Sequence, residues 1–139
     1  MFVGWREGNF IAGVAALEPS DPDNYWQTAR YSGFTKMQRC LTVTLPFMVE
    51  GFVQRDYACV YDHTPDGMPI LDQADPVKGL YFSLGHSGGG FPQSPWVGRT
   101  MAHFVAHGAK PPELNLLRFS RFVENDLVTW SKVKKQEAA

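Results

Sequence analysis

Seven residues, Gly85-His86-Ser87-Gly88-Gly89-Gly90-Phe91, constrain this chain more than any others. They follow a short apolar run, Leu80 to Leu84, that suits a strand. They lead into Ser94-Pro95 and an apolar-periodic segment that stops at Gly108. Strand, glycine loop and helix in that order bring backbone N–H groups together at a positive helix end, a geometry that binds anions or electron-rich oxygens. The loop is not a P-loop, which needs Lys and Ser/Thr after its second glycine. It also departs from G-x-G-x-x-G, because Gln93 occupies the last glycine position. Taken alone it fits two roles equally: a ligand cradle, or a tight connection that lets the helix pack on the sheet.

Turn chemistry divides the rest of the chain into short elements. Residues 1–16 read as a hairpin of two strands with Gly8-Asn9 near its turn. Asp21-Pro22-Asp23 offers a helix start, and Trp26, Ala29, Gly33, Met37, Cys40 and Leu41 predict a helix over about residues 24–43, ended by Pro46. Gly33 inside it suggests a kink or a close helix contact. Phe52 to Tyr61 alternates as a strand, with Val53, Tyr57, Cys59 and Tyr61 on one face. Thr64-Pro65-Asp66-Gly67 is a turn, Met68 to Leu71 a strand, Asp75 to Gly79 a second turn and Leu80 to Leu84 a second strand. The helix after the loop is predicted from Ser94-Pro95 to His107, with Val97, Met101, Phe104 and Val105 on its apolar face and Arg99 and His103 opposite. Pro111-Pro112 opens a last segment, LNLLRFSRF, and from Glu124 a polar tail follows that suits at most a marginal helix.

A chain of 139 residues with 44% hydrophobic side chains and a net charge of -1 holds one core and lacks the basic field that nucleic acids or anionic membranes require. The apolar run Phe10 to Leu17 falls far short of the roughly 20 residues that span a bilayer. No basic region precedes it as in a cleaved signal peptide, so the cytoplasm is the expected compartment. Cys40 and Cys59 are too few for a disulfide framework or a zinc ribbon. His103 and His107, four apart without a third ligand, read as a solvated pair, and no metal site is expected.

Three blocks in order carry a family resemblance: ACVYDHTPDGMPILD at 58–72, GLYFSLGHSGGGFPQSPWVGRTMAHFVAHG at 79–108 and LLRFSRF at 116–122. Together they resemble the carboxyl-terminal third of FAD-dependent amine and amino-acid oxidoreductases, the D-amino-acid oxidase family with its sarcosine and glycine oxidases. The similarity extends over about residues 1–122. It implies an α+β fold (an α/β fragment). Residues 1–57 would be the end of an antiparallel substrate-domain sheet, 58–122 the last strand and C-terminal helix of an FAD-binding domain, and 123–139 a polar tail. The N-terminal Rossmann βαβ unit would be lacking. FAD is the implied cofactor and a small amine or amino acid the implied substrate, oxidised by hydride transfer. The implied partner is an N-terminal FAD-binding half or subunit, without which the chain is expected to be inactive. A non-catalytic subunit that kept the oxidase scaffold is the alternative, and a free-standing anion-binding module a third reading.

The resemblance also assigns residues. Gly85, His86, Ser87, Gly88, Gly89, Gly90 and Phe91 would bind the cofactor, with N–H groups from Ser87 to Phe91 stabilising negative charge at the flavin's pyrimidine edge. Asp66, with Gly67, would close the pocket beside the ring. Tyr61 falls where relatives place a substrate-facing residue, a Tyr in sarcosine oxidases and an Arg in glycine oxidases; on its own it reads equally as a core aromatic. Cys59 stands in a C-x-Y-x-x-T-P-D spacing that resembles the block through which sarcosine oxidases attach FAD covalently, where noncovalent relatives carry Gly; the other reading is an inert buried thiol. Two departures stand out, Pro92 in place of a carboxylate-holding Lys and Gly89 in place of a His. With Tyr61 instead of Arg, this segment offers a substrate carboxylate no obvious cation.

Overall fold

A computed structural model of the chain describes residues 2–6, 8–14, 18–129, 131 and 133. It mixes helices with two small antiparallel sheets and divides into two units, Met1–Val60 and Tyr61–Ala139.

In the first unit, β1 (Phe2–Arg6) pairs antiparallel with β2 (Asn9–Gly13) in the register Trp5↔Phe10 and Arg6↔Asn9. Gly8, at φ +80°, makes the tight reversal that the Gly-Asn pair predicts. The helix α1 spans Tyr31–Thr44, so it begins well after the expected residue 24. The helix-start signal is consumed locally: the Asp21 carboxylate accepts from the Asp23 N–H at 2.9 Å, an Asx-type turn. The next residues are drawn off by distant partners, the Ala29 N–H donating to Asp56 Oδ2 at 2.8 Å and the Ala58 N–H to the Gln27 carbonyl at 2.8 Å. Gly33 lies in the first turns of α1 with open space where a side chain would stand, so the expected close contact is not made. α1 stops before Pro46, as predicted, and a short 3-10 helix, Pro46–Glu50, follows. Residues 52–61 do not form the expected strand. Alternation prepares a strand, but a strand forms only against a ladder partner, and among the described residues none is paired there.

The second unit is built around β3 (Ile70–Gln73) and β4 (Tyr81–Leu84), antiparallel in the register Ile70↔Leu84 and Gln73↔Tyr81. β3 starts two positions later than expected, because the Thr64 hydroxyl and the Arg121 guanidinium occupy the Met68 carbonyl instead of a ladder partner. The turn between the strands contains a cis Asp75-Pro76 bond and closes through the Ala74 N–H on the Leu80 carbonyl at 2.8 Å.

The helix α2 runs Gly90–His107 and ends on Gly108 at φ +70°, the left-handed stop read from sequence. It starts four positions before Ser94, whose expected role was to cap it. Pro95 removes the N–H that would bond the Phe91 carbonyl, and the Ser94 hydroxyl donates to that carbonyl instead at 2.8 Å. Pro92 is tolerated because it lies in the first turn, where no N–H is needed.

The core joins Leu71 of β3 to Val97, Met101 and Phe104 of α2 and to Leu114 and Leu117 of a 3-10 helix, Pro112–Leu117, with Met68 and Tyr81 packed alongside. Tyr81 meets Phe104 edge to face with centroids 5.1 Å apart. Val105, expected on this face, is exposed. A further 3-10 helix, Phe119–Phe122, follows, and residues 124–128 fold back over it.

Candidate functional site

The glycine loop leaves β4 at Gly85 and is stitched along its length to residues 61–64. The Gly85 N–H donates to Asp62 Oδ2 at 2.7 Å, and the Ser87 N–H to the Asp62 carbonyl at 3.3 Å. In return the Thr64 N–H donates to Ser87 Oγ at 3.4 Å. Gly85 (φ +69°) is buried against Thr64, whose Cγ2 would lie only 2.5 Å from any Cβ added there. Gly88 (φ +84°) faces the Tyr61 ring, 3.4 Å from the position of its missing Cβ. Gly85 therefore needs glycine twice over, for backbone conformation and for space, and Gly88 for backbone conformation, since a Cβ there would meet the Tyr61 ring at ordinary contact distance.

His86 is half-buried under the loop, with Nε2 3.3 Å from Ser83 Oγ and Nδ1 3.4 Å from Gln93 Oε1. Its side chain lies within 3.2 Å of where a Gly90 Cβ would be. An α-helix begins with four N–H groups that have no intrahelical acceptor. At α2 the first of these, on Gly89, is taken by the His86 carbonyl at 2.8 Å, and Pro92 carries no N–H at all. The N–H groups of Gly90 and Phe91 are left as the donors of this helix end. Of the wider set expected from Ser87 to Phe91, those of Ser87 and Gly89 are already used within the chain.

Tyr61 is partly exposed, 45%, with its ring against Gly88 and edge-on to His63 at 5.9 Å. It is thus neither core nor remote from the loop. Cys59 lies in the first unit and is exposed, which removes the inert buried thiol as a description of it. Asp66 is different. Its side chain is only 2% exposed, and both oxygens are held by Arg121, with Nε to Oδ2 at 2.8 Å and Nη2 to Oδ1 at 3.0 Å. The N–H groups of Met68 and Val128 add bonds at 3.1 Å each. Burial alone would raise this carboxyl's pKa; the Arg121 guanidinium and these N–H donors outweigh it and hold the group far below the usual carboxylate range. Asp66 closes the turn from within and presents no free oxygen to a ligand.

Arg121 is fully buried, and its Nη1 and Nη2 reach the carbonyls of Arg118 and Met68 at 3.0 and 2.8 Å. Sequence reasoning passed over it and over Asp62. A carboxylate two residues before Thr-Pro-Asp-Gly, and an Arg among the apolar residues of LNLLRFSRF, a segment that also carries Arg118, were the available signals. Beside these residues an open groove of about 410 Å3 is lined by Asp62, His63, Thr64, Gly85, Leu84 and Phe119, among others. His103 and His107 stack 4.3 Å apart on α2. Among the described residues no three His, Cys, Asp or Glu side chains converge as metal ligands, and no helix is long and apolar enough to cross a membrane.

The sequence profile of the family described as FAD dependent oxidoreductase (DAO) matches residues 1–104. FAD-dependent oxidoreductase domain-containing protein 1 of Xenopus laevis is 31% identical over 118 residues, 83% of this chain and 24% of that protein. Sarcosine oxidase subunit beta of Rhodobacter capsulatus is 33% identical over 99 residues, 70% of this chain and 24% of its own length. Among solved structures, L-proline dehydrogenase from P. horikoshii superposes with a TM-score of 0.67 at 25% identity, over 76% of this chain and 28% of that one. The chain spans about a quarter of the length of the curated relatives it matches.

Proposed function

This chain belongs to the DAO family of FAD-dependent oxidoreductases, whose cofactor is FAD, and from that premise we propose that it is the C-terminal, flavin-facing part of an enzyme that oxidises a small amine or amino acid. The observation that carries the reading is the loop: Gly88 bent at positive φ against Tyr61, followed by two N–H donors, on Gly90 and Phe91, at the positive end of α2. These residues fit an electron-rich ring edge. Gly85 lets the loop close against Thr64, Gly88 lets it turn beside Tyr61, and the two donors are backbone groups that cost no reorganisation.

When bound, FAD supplies the hydride acceptor. The chain's own residues would do the rest locally. Gly90 and Phe91 would donate to the charge that develops at the flavin's pyrimidine edge, while His86 supports the loop from beneath through Ser83 and Gln93. Tyr61 would face the substrate from across Gly88. Cys59, exposed, is the candidate for covalent attachment. With Tyr61 and Pro92 where relatives place Arg or Lys, a substrate carboxylate must find its cation outside these residues, which favours an amine over an amino acid. The dinucleotide's phosphates also need donors from elsewhere, since the 139 residues contain no G-x-G-x-x-G. We therefore assign an N-terminal FAD-binding half or subunit as partner, and no turnover without that partner.

The test is the visible spectrum of the purified chain before and after acid precipitation, alone and co-expressed with a dinucleotide-binding part. Yellow colour that stays in the pellet and disappears in Cys59→Ala supports covalent flavin, and colour released to the supernatant supports a noncovalent site. A folded, colourless complex sinks the reading. A flavin-bearing complex whose turnover is indifferent to substitution of Tyr61 and Gly88 would instead favour the non-catalytic subunit, to which the missing Lys at Pro92 already points.

A further inference from the structure

The residue that shapes the loop is not in it. We infer that Arg121 is the positioning residue of the glycine loop, acting through Asp66 and Thr64. Its guanidinium is fully buried and grips both Asp66 oxygens and the Met68 carbonyl, so the turn at 64–68 is fixed to the 3-10 helix Phe119–Phe122. Thr64 stands at the head of that turn, its hydroxyl 2.8 Å from the Met68 carbonyl and 3.2 Å from Asp66 Oδ1. From there Thr64 acts on the loop in two ways. Its N–H holds Ser87 Oγ, and its methyl fills the space beside Gly85. Ser87 itself sits at φ +51°, a conformation that a non-glycine residue keeps only when its surroundings impose it.

A planar fork is required at position 121. Lysine would keep the charge yet lose the paired bonds to Asp66 and the simultaneous reach to two carbonyls. A loosened turn would let Thr64 retreat from Gly85 and release the Ser87 conformation. The charge pair thus governs a backbone feature 34–36 positions earlier in the chain without touching it. That the loop so held serves a flavin rests on the reading above; the positioning itself does not.

The test is amide hydrogen exchange of the full chain at Gly85, Ser87 and Gly89, whose N–H groups are bonded to Asp62 Oδ2, the Asp62 carbonyl and the His86 carbonyl. In Arg121→Lys these three should exchange on the order of tenfold faster or more, while residues 97–107 of α2 keep the wild-type rate. Thr64→Ser, which keeps the hydroxyl and loses the methyl, should speed Gly85 and Ser87 and leave residues 66–68 unchanged; it serves if the lysine variant does not fold. Lys110→Met, which breaks the Lys110–Asp72 pair in the same unit, should leave the loop unmoved. Unchanged loop exchange in the first two variants overturns the inference, as does a uniform rise through β3, β4 and α2, which would make Arg121 merely structural. Loop amides unprotected in the wild type would overturn it too. Parallel FAD titration separates the two readings: a loop that loosens as described in a chain that binds no flavin, alone or with its partner, counts against the function and leaves the positioning intact.

Discussion

Residues 8–60 and residues 61–128 draw on the same kinds of side chain and use them differently. In the second stretch Leu71, Val97, Met101, Phe104, Leu114 and Leu117 are enclosed together, and the one fully buried charge is paired. In the first, Trp26, Tyr31, Phe47, Phe52 and Tyr57 are exposed, and α1 has no buried residue. A helix draws most of its stability from packing its apolar face. An amphipathic pattern therefore records a face that could be covered, and burial records whether the described residues cover it. Stability should concentrate in the second stretch, and matched substitutions can break that contrast.

The largest difference should come from ion pairs. Arg121→Met leaves the Asp66 carboxylate buried and uncompensated, costing about 3–5 kcal/mol; Arg30→Met, whose partner Glu18 is half exposed, should cost under about 1 kcal/mol in the same denaturation experiment. Next, Leu114→Ala empties a fully buried site and should cost about 2–5 kcal/mol. Leu41→Ala on half-buried α1 should cost roughly 1 kcal/mol or less.

Acid should act on the same contrast, with a smaller effect because a protonated carboxyl still hydrogen-bonds. Burial works against ionisation of Asp66 and of Asp72, but Arg121 and Lys110 with nearby N–H donors lower both pKa values. Depressed folded-state values mean stabilisation that is complete above the unfolded pKa of about 4 and drains away as pH falls toward the folded ones. Hydrogen exchange measured against pH should show protection at β3 and Phe119 falling below about pH 4, and Asp72→Asn should flatten that fall.

The smallest pair differs in sign. Gly88→Ala, at φ +84° against the Tyr61 ring, should destabilise by about 1–2 kcal/mol, whereas Gly33→Ala, in a helix with open space beside it, should stabilise by roughly 0.5–1 kcal/mol. Equal shifts at the two glycines in thermal melts would abolish the distinction between the regions.

Features whose cause is local could be read from the residues. The hairpin turn at Gly8, the turn at Gly67 and the left-handed stop at Gly108 each follow from neighbours in sequence. The presence of a glycine loop between strand and helix was legible in the same way, but the tight fit of Gly85 against Thr64 was not. What escaped depends on distant partners. The start of α1 is displaced by bonds to residues 56 and 58, the strand over 52–61 lacks a ladder, and Arg121 meets Asp66 across 55 positions. The Ser94-Pro95 pair misled because the same hydroxyl that caps a helix can also replace a missing N–H inside one.

At the mouth of α2, Gly89 is engaged and Pro92 is barren, so the helix end offers a ligand two main-chain amides and no side chain. Such a site is invisible to alanine scanning, which leaves every peptide N–H in place and would score Phe91 as a dispensable surface aromatic. Only a proline at position 90 or 91, or an amide-to-ester replacement made by chemical synthesis, deletes the donors themselves. For the same reason selection can vary the side chain at position 91 widely without altering what the loop offers a ligand.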